Sequence, residues 1–348
     1  MKKIAYIEID THAEIAQAFM EIMKGSEAFS VDYYFSKKIK DQITEKNESV
    51  FLSESSMILD QLKGKGYDLV IIGTAHRYFN TFLSVAQKYN TAIIAHNLNF
   101  VKASKLRLIR NIFKGDLVYR LKLLWKEGLT EVPELHQKAR HLMVLDEGLV
   151  SGQFQNLPLF FTKDFSKTEN DHPVIVIPGG VSQKRRDYQH IFKIIRKIQA
   201  PGQYTFVFLG KAKGQELKTL EVLSQELPQN IKIQYFSKRV SAKEFHEWMQ
   251  KADVLWCPVQ KETTFFSQKE RYGHTKMTGN LGDAIKYGKL AVFPSNYPTK
   301  NQFIIPERED VIEQFGELKN LIYDFQENYS KEAVQSKLEA VLQSLITI

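Results

Sequence analysis

The chain has 348 residues, enough for about two domains, and its 43% hydrophobic and 25% charged content is ordinary for a globular protein. Eighteen Gly and ten Pro are too few for a collagen-like or low-complexity chain, and no run reaches the roughly 18 uninterrupted apolar residues of a membrane span. The net charge of +8 is modest, and the single cysteine, Cys257, leaves no partner for an intrachain disulfide and no Cys-based zinc site, so the expected compartment is the cytosol.

Short apolar runs alternate with helical spacing from the start. Residues 4–9 predict a strand; Glu8 and Asp10 sit where a signal peptide would keep its apolar core. Helical spacing follows over 13–23, alternation over 30–35 predicts a second strand, and Met57, Ile58 and Leu62 suggest a helix. Buried-type strands are expected at 67–72, closed by Gly73, at 91–95, closed by His96, and at 141–145, the last of this half. A polar, aperiodic stretch at 161–172 marks the domain boundary. The pattern then restarts, with strands at 173–177, 204–209, 231–236, 253–257 and 289–293. Helices are expected between them at 188–198, 216–227, 241–251 (opened by a Ser241/Glu244 capping box) and 282–287 (stopped by Gly288).

Continuous Val/Ile strands each followed by a helix predict an α/β fold of parallel sheets covered on both faces. The expected organisation is two Rossmann-like, doubly wound domains at 1–165 and 166–330, facing each other across a cleft, with a C-terminal helix at 331–348 packing back on the first.

Ligands of doubly wound sheets sit beyond the carboxyl ends of the strands, so residues following each strand are the candidates. After the strand at 173–177 come Gly179 and Gly180, then Lys184, Arg185 and Arg186 just before a helix. Glycines allow close backbone approach, and three cations at a helix N-terminus suit a diphosphate. A second polar, Gly-rich segment carries Glu270, Tyr272, Gly273, Lys276, Thr278 and Gly279 and feeds a helix bearing Asp283. Its backbone N–H groups are expected to cradle an anion, with Lys276 adding charge and Asp283 accepting from ribose hydroxyls. In the first half, His12, His76 and the pair His96-Asn97 follow three strands.

These features carry a resemblance. Glu270-Arg-Tyr-Gly273, Asp283-Ala284-Ile-Lys-Tyr-Gly288, Ala252-Asp253-Val-Leu-Trp-Cys-Pro258 and the 178–186 loop resemble the nucleotide-binding domain of GT-B glycosyltransferases, specifically the family-four retaining type, over about residues 173–294. Twelve residues separate Glu270 from Asp283 where the family has seven, and aspartate replaces its second glutamate. The resemblance implies a hexosyl-type glycosyltransferase moving sugar from a nucleotide-sugar donor to a glycan or lipid-linked acceptor. It assigns Asp283 to the ribose, Lys184, Arg185 or Arg186 to the diphosphate with Lys276 assisting, and His96 to the reaction centre. Front-face retention needs no catalytic dyad. The chain has neither an Asp-x-Asp motif nor a cluster with metal-ligand spacing, so no metal and no cofactor beyond the co-substrate is expected.

One segment concentrates the charge. Lys102, Lys105, Arg107, Arg110, Lys114, Arg120, Lys122 and Lys126 face only Asp116 within 102–126. Leu106, Ile109, Phe113 and Leu117 recur there at helical spacing. Either the apolar face packs on the sheet and the cations face water, or the segment meets an anionic membrane or acceptor, making the protein cytoplasmic but membrane-associated. Aromatics are not interleaved as stacking platforms, so nucleic acid is not an expected partner. Two other functions fit the same scaffold: a sugar-nucleotide epimerase or hydrolase, and a non-catalytic nucleotide-sugar-binding protein.

Overall fold

The computed structural model describes residues 1–163, 168–199 and 202–347; the expected boundary at 165 lies outside them. The first half contributes β1 (Lys2–Glu8), β2 (Phe29–Phe35), β3 (Val50–Leu52), β4 (Leu69–Ile72), β5 (Thr91–Ile94), β6 (His141–Val144) and β7 (Phe154–Asn156). They form one seven-stranded sheet in the order β3-β2-β1-β4-β5-β6-β7. The second half contributes β8 (Val174–Pro178), β9 (Tyr204–Lys211), β10 (Ile231–Phe236), β11 (Val254–Trp256), the hairpin strands β12 (Glu262–Phe265) and β13 (Gln268–Arg271), β14 (Ala291–Phe293) and β15 (Ile304–Pro306). Six of these form a second sheet, β10-β9-β8-β11-β14-β15, while β12 and β13 pair only with each other.

All pairings within the two large sheets are parallel. Strand order reverses at β1/β4 in the first sheet and at β8/β11 in the second, the crevices where doubly wound sheets take ligands. Alternate residues of β1 feed opposite layers: Ala5 and Ile7 join one core, Ile4 and Tyr6 the other. The Tyr6 layer is covered by helix Ala13–Met23 and by helix Lys331–Thr347, whose Val334, Leu338, Leu342 and Leu345 are buried in it. The chain's last helix thus completes the core of its first sheet. Asn90 and His141 both reach the Leu345 carbonyl, at 2.8 and 3.0 Å.

The strand expected to end the first half is followed by β7, and β3 and β15 are likewise additional. All three are three-residue edge strands, too short to show a period. The larger correction is the β12–β13 hairpin. Gln268 and Glu270 in it are fully buried, although their polarity suggests a solvated loop.

Candidate functional site

The carboxyl ends of β1, β4 and β5 carry His12, His76 and His96 respectively, and the parallel register brings them together. The His12 and His96 rings stack with centroids 4.0 Å apart, and His76 lies edge-on to both, at 6.1 and 5.6 Å. Beneath them Glu8 is buried in the sheet. Its carboxylate accepts from the Asp10 and Thr11 N–H groups at 3.0 and 3.3 Å and from the Thr74 hydroxyl at 2.6 Å, tying the β1 turn to the β4 turn. Burial raises its pKa. A lone acid in an apolar strand was the available signal for this brace.

Hydrogen bonding sets the imidazole tautomers. His96 Nε2 lies 2.8 Å from the Gly73 carbonyl, which can only accept, so Nε2 carries the hydrogen and Nδ1 keeps its lone pair. Lys276 Nζ donates to Asn97 Oδ1 at 2.5 Å, which turns the Asn97 amide nitrogen toward His76 Nε2 at 3.1 Å. Burial first, and then the nearby His12, hold the His76 and His96 pKa values well below the usual imidazole range. Both rings are therefore neutral near pH 7. His12 pairs with Glu14 at 2.9 Å. Among the described residues no His, Cys, Asp and Glu group has the geometry to hold a metal ion.

Across the cleft, the turn after β8 is built around Arg186. Gly179 has φ +97°, and a Cβ there would run into the Arg186 guanidinium. Arg186 Nη2 donates to Asn280 Oδ1 at 3.1 Å and Nη1 reaches the Gly180 carbonyl at 3.4 Å, while Nε is buried without a partner. Asn280, which sequence reasoning missed, is buried at the start of helix Gly279–Tyr287 and also donates to the Pro178 carbonyl at 3.2 Å. It locks the β8 turn to that helix. Asp187, not a cation, caps the next helix, Tyr188–Arg196, accepting from the His190 N–H.

Asp283 lies partly buried on helix Gly279–Tyr287. Burial pushes its carboxyl up to about 6, against the opposing pull of Arg186. Glu14 of the first domain adds to that rise. Lys276 is pushed down to about 8 by burial, with Glu270 opposing and Arg185 reinforcing that shift. Lys184 is exposed.

Several residues have jobs other than those expected. The Glu270 carboxylate crosses to the first domain and accepts the Asn99 and Phe100 N–H groups at 3.2 and 2.9 Å. Each oxygen thereby accepts one N–H from the first turn of helix Leu98–Val101, so Glu270 braces the two domains. The loop amides do not form an open cradle either. The N–H groups of His274, Thr275 and Lys276 converge on the Arg271 carbonyl at 3.1, 2.8 and 3.2 Å, and Gly273 donates to the Lys276 carbonyl at 2.9 Å. Gly273 has φ +74° and abuts Pro298, Tyr272 packs on the second core, and Thr278 caps the helix through the Asn280 N–H. These residues form the turn that aims Lys276 at Asn97. Gly180 and Gly279 border open space. A cavity of about 610 Å³ lies elsewhere, lined by His172, Thr205, Ile233 and Trp248 among others, and contains none of these side chains.

No family model matches this sequence, and a search of curated proteins finds no match. Solved structures do match over their full length. The lipopolysaccharide outer core galactosyltransferase WaaB, in its apo form, aligns with TM-score 0.56 and 11% identity over 98% of this chain and 99% of that one. Sucrose-phosphate synthase from Thermosynechococcus elongatus aligns at 0.55 and 13% over all of both chains. The UDP-GlcNAc 2-epimerase from Neisseria meningitidis, solved with UDP-GlcNAc, aligns at 0.53 and 10% over 98% of this chain and 100% of that one. At these identities the likeness concerns architecture, and with the two strand orders it establishes a GT-B fold: two Rossmann-like domains facing across one cleft.

Proposed function

We propose that the protein is a hexosyl-type glycosyltransferase that takes a nucleotide sugar on its second domain and passes the sugar to a glycan or lipid-linked acceptor on its first. One observation carries this reading: Lys276 of the second domain bonds Asn97 at the end of β5, beside three histidines from three adjacent strand ends. The two switch-point crevices therefore open into a single cleft. Arg186, with its unpartnered Nε, and Arg185 with Lys276 supply cations for a diphosphate, while Asp283 offers a carboxylate to ribose hydroxyls. In this reading the Nδ1 lone pair of His96, left free by the Nε2 bond to Gly73, accepts from a sugar hydroxyl.

The transfer we propose is retaining and metal-independent. An acceptor oxygen attacks the anomeric carbon on the face from which the diphosphate departs. The carbon–diphosphate oxygen bond breaks, and the leaving oxygen takes the acceptor's proton. The cationic side chains stabilise the negative charge that develops there.

A second reading rests on the histidine cluster itself. A sugar-nucleotide epimerase or hydrolase needs titratable groups converging on the sugar, and His12, His76, His96 and Glu14 converge. Incubation with a panel of sugar nucleotides and simple acceptors, followed by proton NMR, separates the two. Transfer with an unchanged anomeric configuration supports the glycosyltransferase; a 2-epimer or free sugar without transfer supports the alternative. Binding without turnover would mean a sugar-nucleotide-binding protein.

A further inference from the structure

The basic segment folds as two helices, Lys105–Ile112 and Leu117–Glu127, and part of the apolar face whose role the sequence left open is exposed. Leu108, Ile112 and Leu123 fill the first-domain core. Leu106, Phe113, Val118 and Trp125 remain 81%, 73%, 81% and 76% exposed. Leu106 and Phe113 are seven residues apart, as are Val118 and Trp125, so each pair occupies one outward face.

The charge around them is unbalanced. Lys105, Arg107, Arg110, Lys114, Lys122 and Lys126 are all exposed, and none forms an ion pair among the described residues. Of the two carboxylates here, Asp116 caps the second helix, accepting the Tyr119 N–H at 3.1 Å, and Glu127 is buried and paired with Arg77. Isolated exposed apolar side chains are ordinary on protein surfaces. Four on adjacent helices, ringed by unpaired cations, form a patch that marks an interaction site.

The combination selects the partner. A soluble polyanion would engage the cations and leave Phe113 and Trp125 in water. A second copy of the chain would set like charges against each other. A bilayer with anionic headgroups satisfies both features: Lys and Arg reach the phosphates while the apolar side chains enter the acyl boundary. We infer that this face docks on an anionic lipid bilayer. No helix of the described residues is long and apolar enough to cross a membrane, so attachment would be peripheral.

The dock adjoins the cleft through the β12–β13 hairpin. Asn111 donates to the Phe266 carbonyl at 3.2 Å, and the Arg120 guanidinium lies 4.6 Å from the centre of the Phe266 ring. The hairpin's second strand carries Glu270, which bonds Asn99 and Phe100. A bilayer-borne acceptor would thus arrive beside the histidine cluster. Docking itself does not depend on the donor reading.

Flotation of the full chain with phosphatidylcholine vesicles, with and without about one-third phosphatidylglycerol, tests the inference. The protein should float with the anionic vesicles at about 50 mM salt, stay behind with neutral ones, and lose about tenfold in partition by about 500 mM. Phe113→Ser with Trp125→Ser, and separately Arg107→Glu with Arg110→Glu, should each weaken flotation by about tenfold while thermal unfolding stays unchanged. These residues are exposed, so the variants should fold. Three outcomes would overturn the inference: no flotation at low salt, equal flotation with neutral vesicles, or a Phe113/Trp125 variant that floats like wild type. The last would mean that the cations alone hold the vesicle and the apolar side chains stay out of the bilayer; a concentration-dependent dimer abolished by the same variant, without flotation, would make the face a self-association surface.

Discussion

Asp283 and Lys276 set the pH range in which the proposed donor side of the cleft carries opposite charges. Asp283 ionises about 6 and Lys276 about 8, both displaced by burial. Affinity for a nucleotide sugar, whose diphosphate bridge does not titrate here, should therefore be highest between those values. It should fall below about 6 as Asp283 protonates and above about 8 as Lys276 loses its charge. Calorimetry from pH 5 to 9 measures this, and Asp283→Asn should flatten the acid limb alone. The same raised pKa has a consequence for stability. The unfolded chain releases the Asp283 proton near pH 4 and the folded chain only about 6, so folding becomes less favourable as pH rises across that window. Asp283→Asn should then raise stability by about 1–2 kcal/mol at pH 7 and by little at pH 4, checked by urea unfolding at both values.

At this scale the candidate residue types are readable in the sequence, and their partners are not. His12, His76 and His96 each follow an apolar run, which is visible in a chain of letters. That β1, β4 and β5 are neighbours, and so bring three rings together, depends on strand order. Glu270 shows the opposite case. Its position in a Gly-rich polar stretch suggests ligand contact, but a carboxylate can equally satisfy backbone N–H groups of a distant helix, and no local pattern distinguishes the two.

Among the elements, the β12–β13 hairpin couples the domains most directly. Its tip, Phe266-Ser267, has φ +47° and +56°, the left-handed geometry of a tight hairpin turn built here without glycine. That explains why the hairpin is invisible in the sequence: the Asn-Gly or Asp-Gly signal is absent, and the tip is held by packing of Phe266 on Phe100 and under Arg120. Ser267→Gly should relieve backbone strain and raise stability by about 0.5–1 kcal/mol, measurable as a higher melting temperature. Glu270→Gln should act in the other direction. An amide offers one acceptor oxygen where the carboxylate satisfies two N–H donors, leaving one buried group unpaired at about 1–3 kcal/mol. Lower stability and faster proteolysis in the hairpin are the expected results. By contrast, helix Ala242–Lys251 is legible from its cap: Ser241 accepts the Glu244 N–H at 3.1 Å, as the spacing of the two residues implies.

The molecule as a whole is two parallel sheets joined by contacts that run both ways along the chain. The β12–β13 hairpin carries the second half onto the first, and helix Lys331–Thr347 returns the C-terminal residues to the first sheet. Leu338→Ala, fully buried beside Phe19 and Ile22, should cost about 2–5 kcal/mol in the unfolding of the first domain, although it follows the second in sequence. Fold class was legible because parallel sheets buried on both faces leave continuous Val/Ile runs. The facing of the two domains was expected from it, but the contacts that join them, such as Lys276–Asn97, were not, since they link residues far apart in the chain. That pairing gives the proposed donor and acceptor sides a common cleft. Turnover of a sugar-nucleotide panel, followed by NMR in wild type, Asp283→Ala and His96→Ala, tests it most directly. We expect one nucleotide sugar to be consumed with transfer and retained configuration, weaker donor binding in Asp283→Ala, and slower turnover with near-normal binding in His96→Ala. Failure of the folded wild-type protein to bind any member of the panel would contradict the shared donor–acceptor cleft.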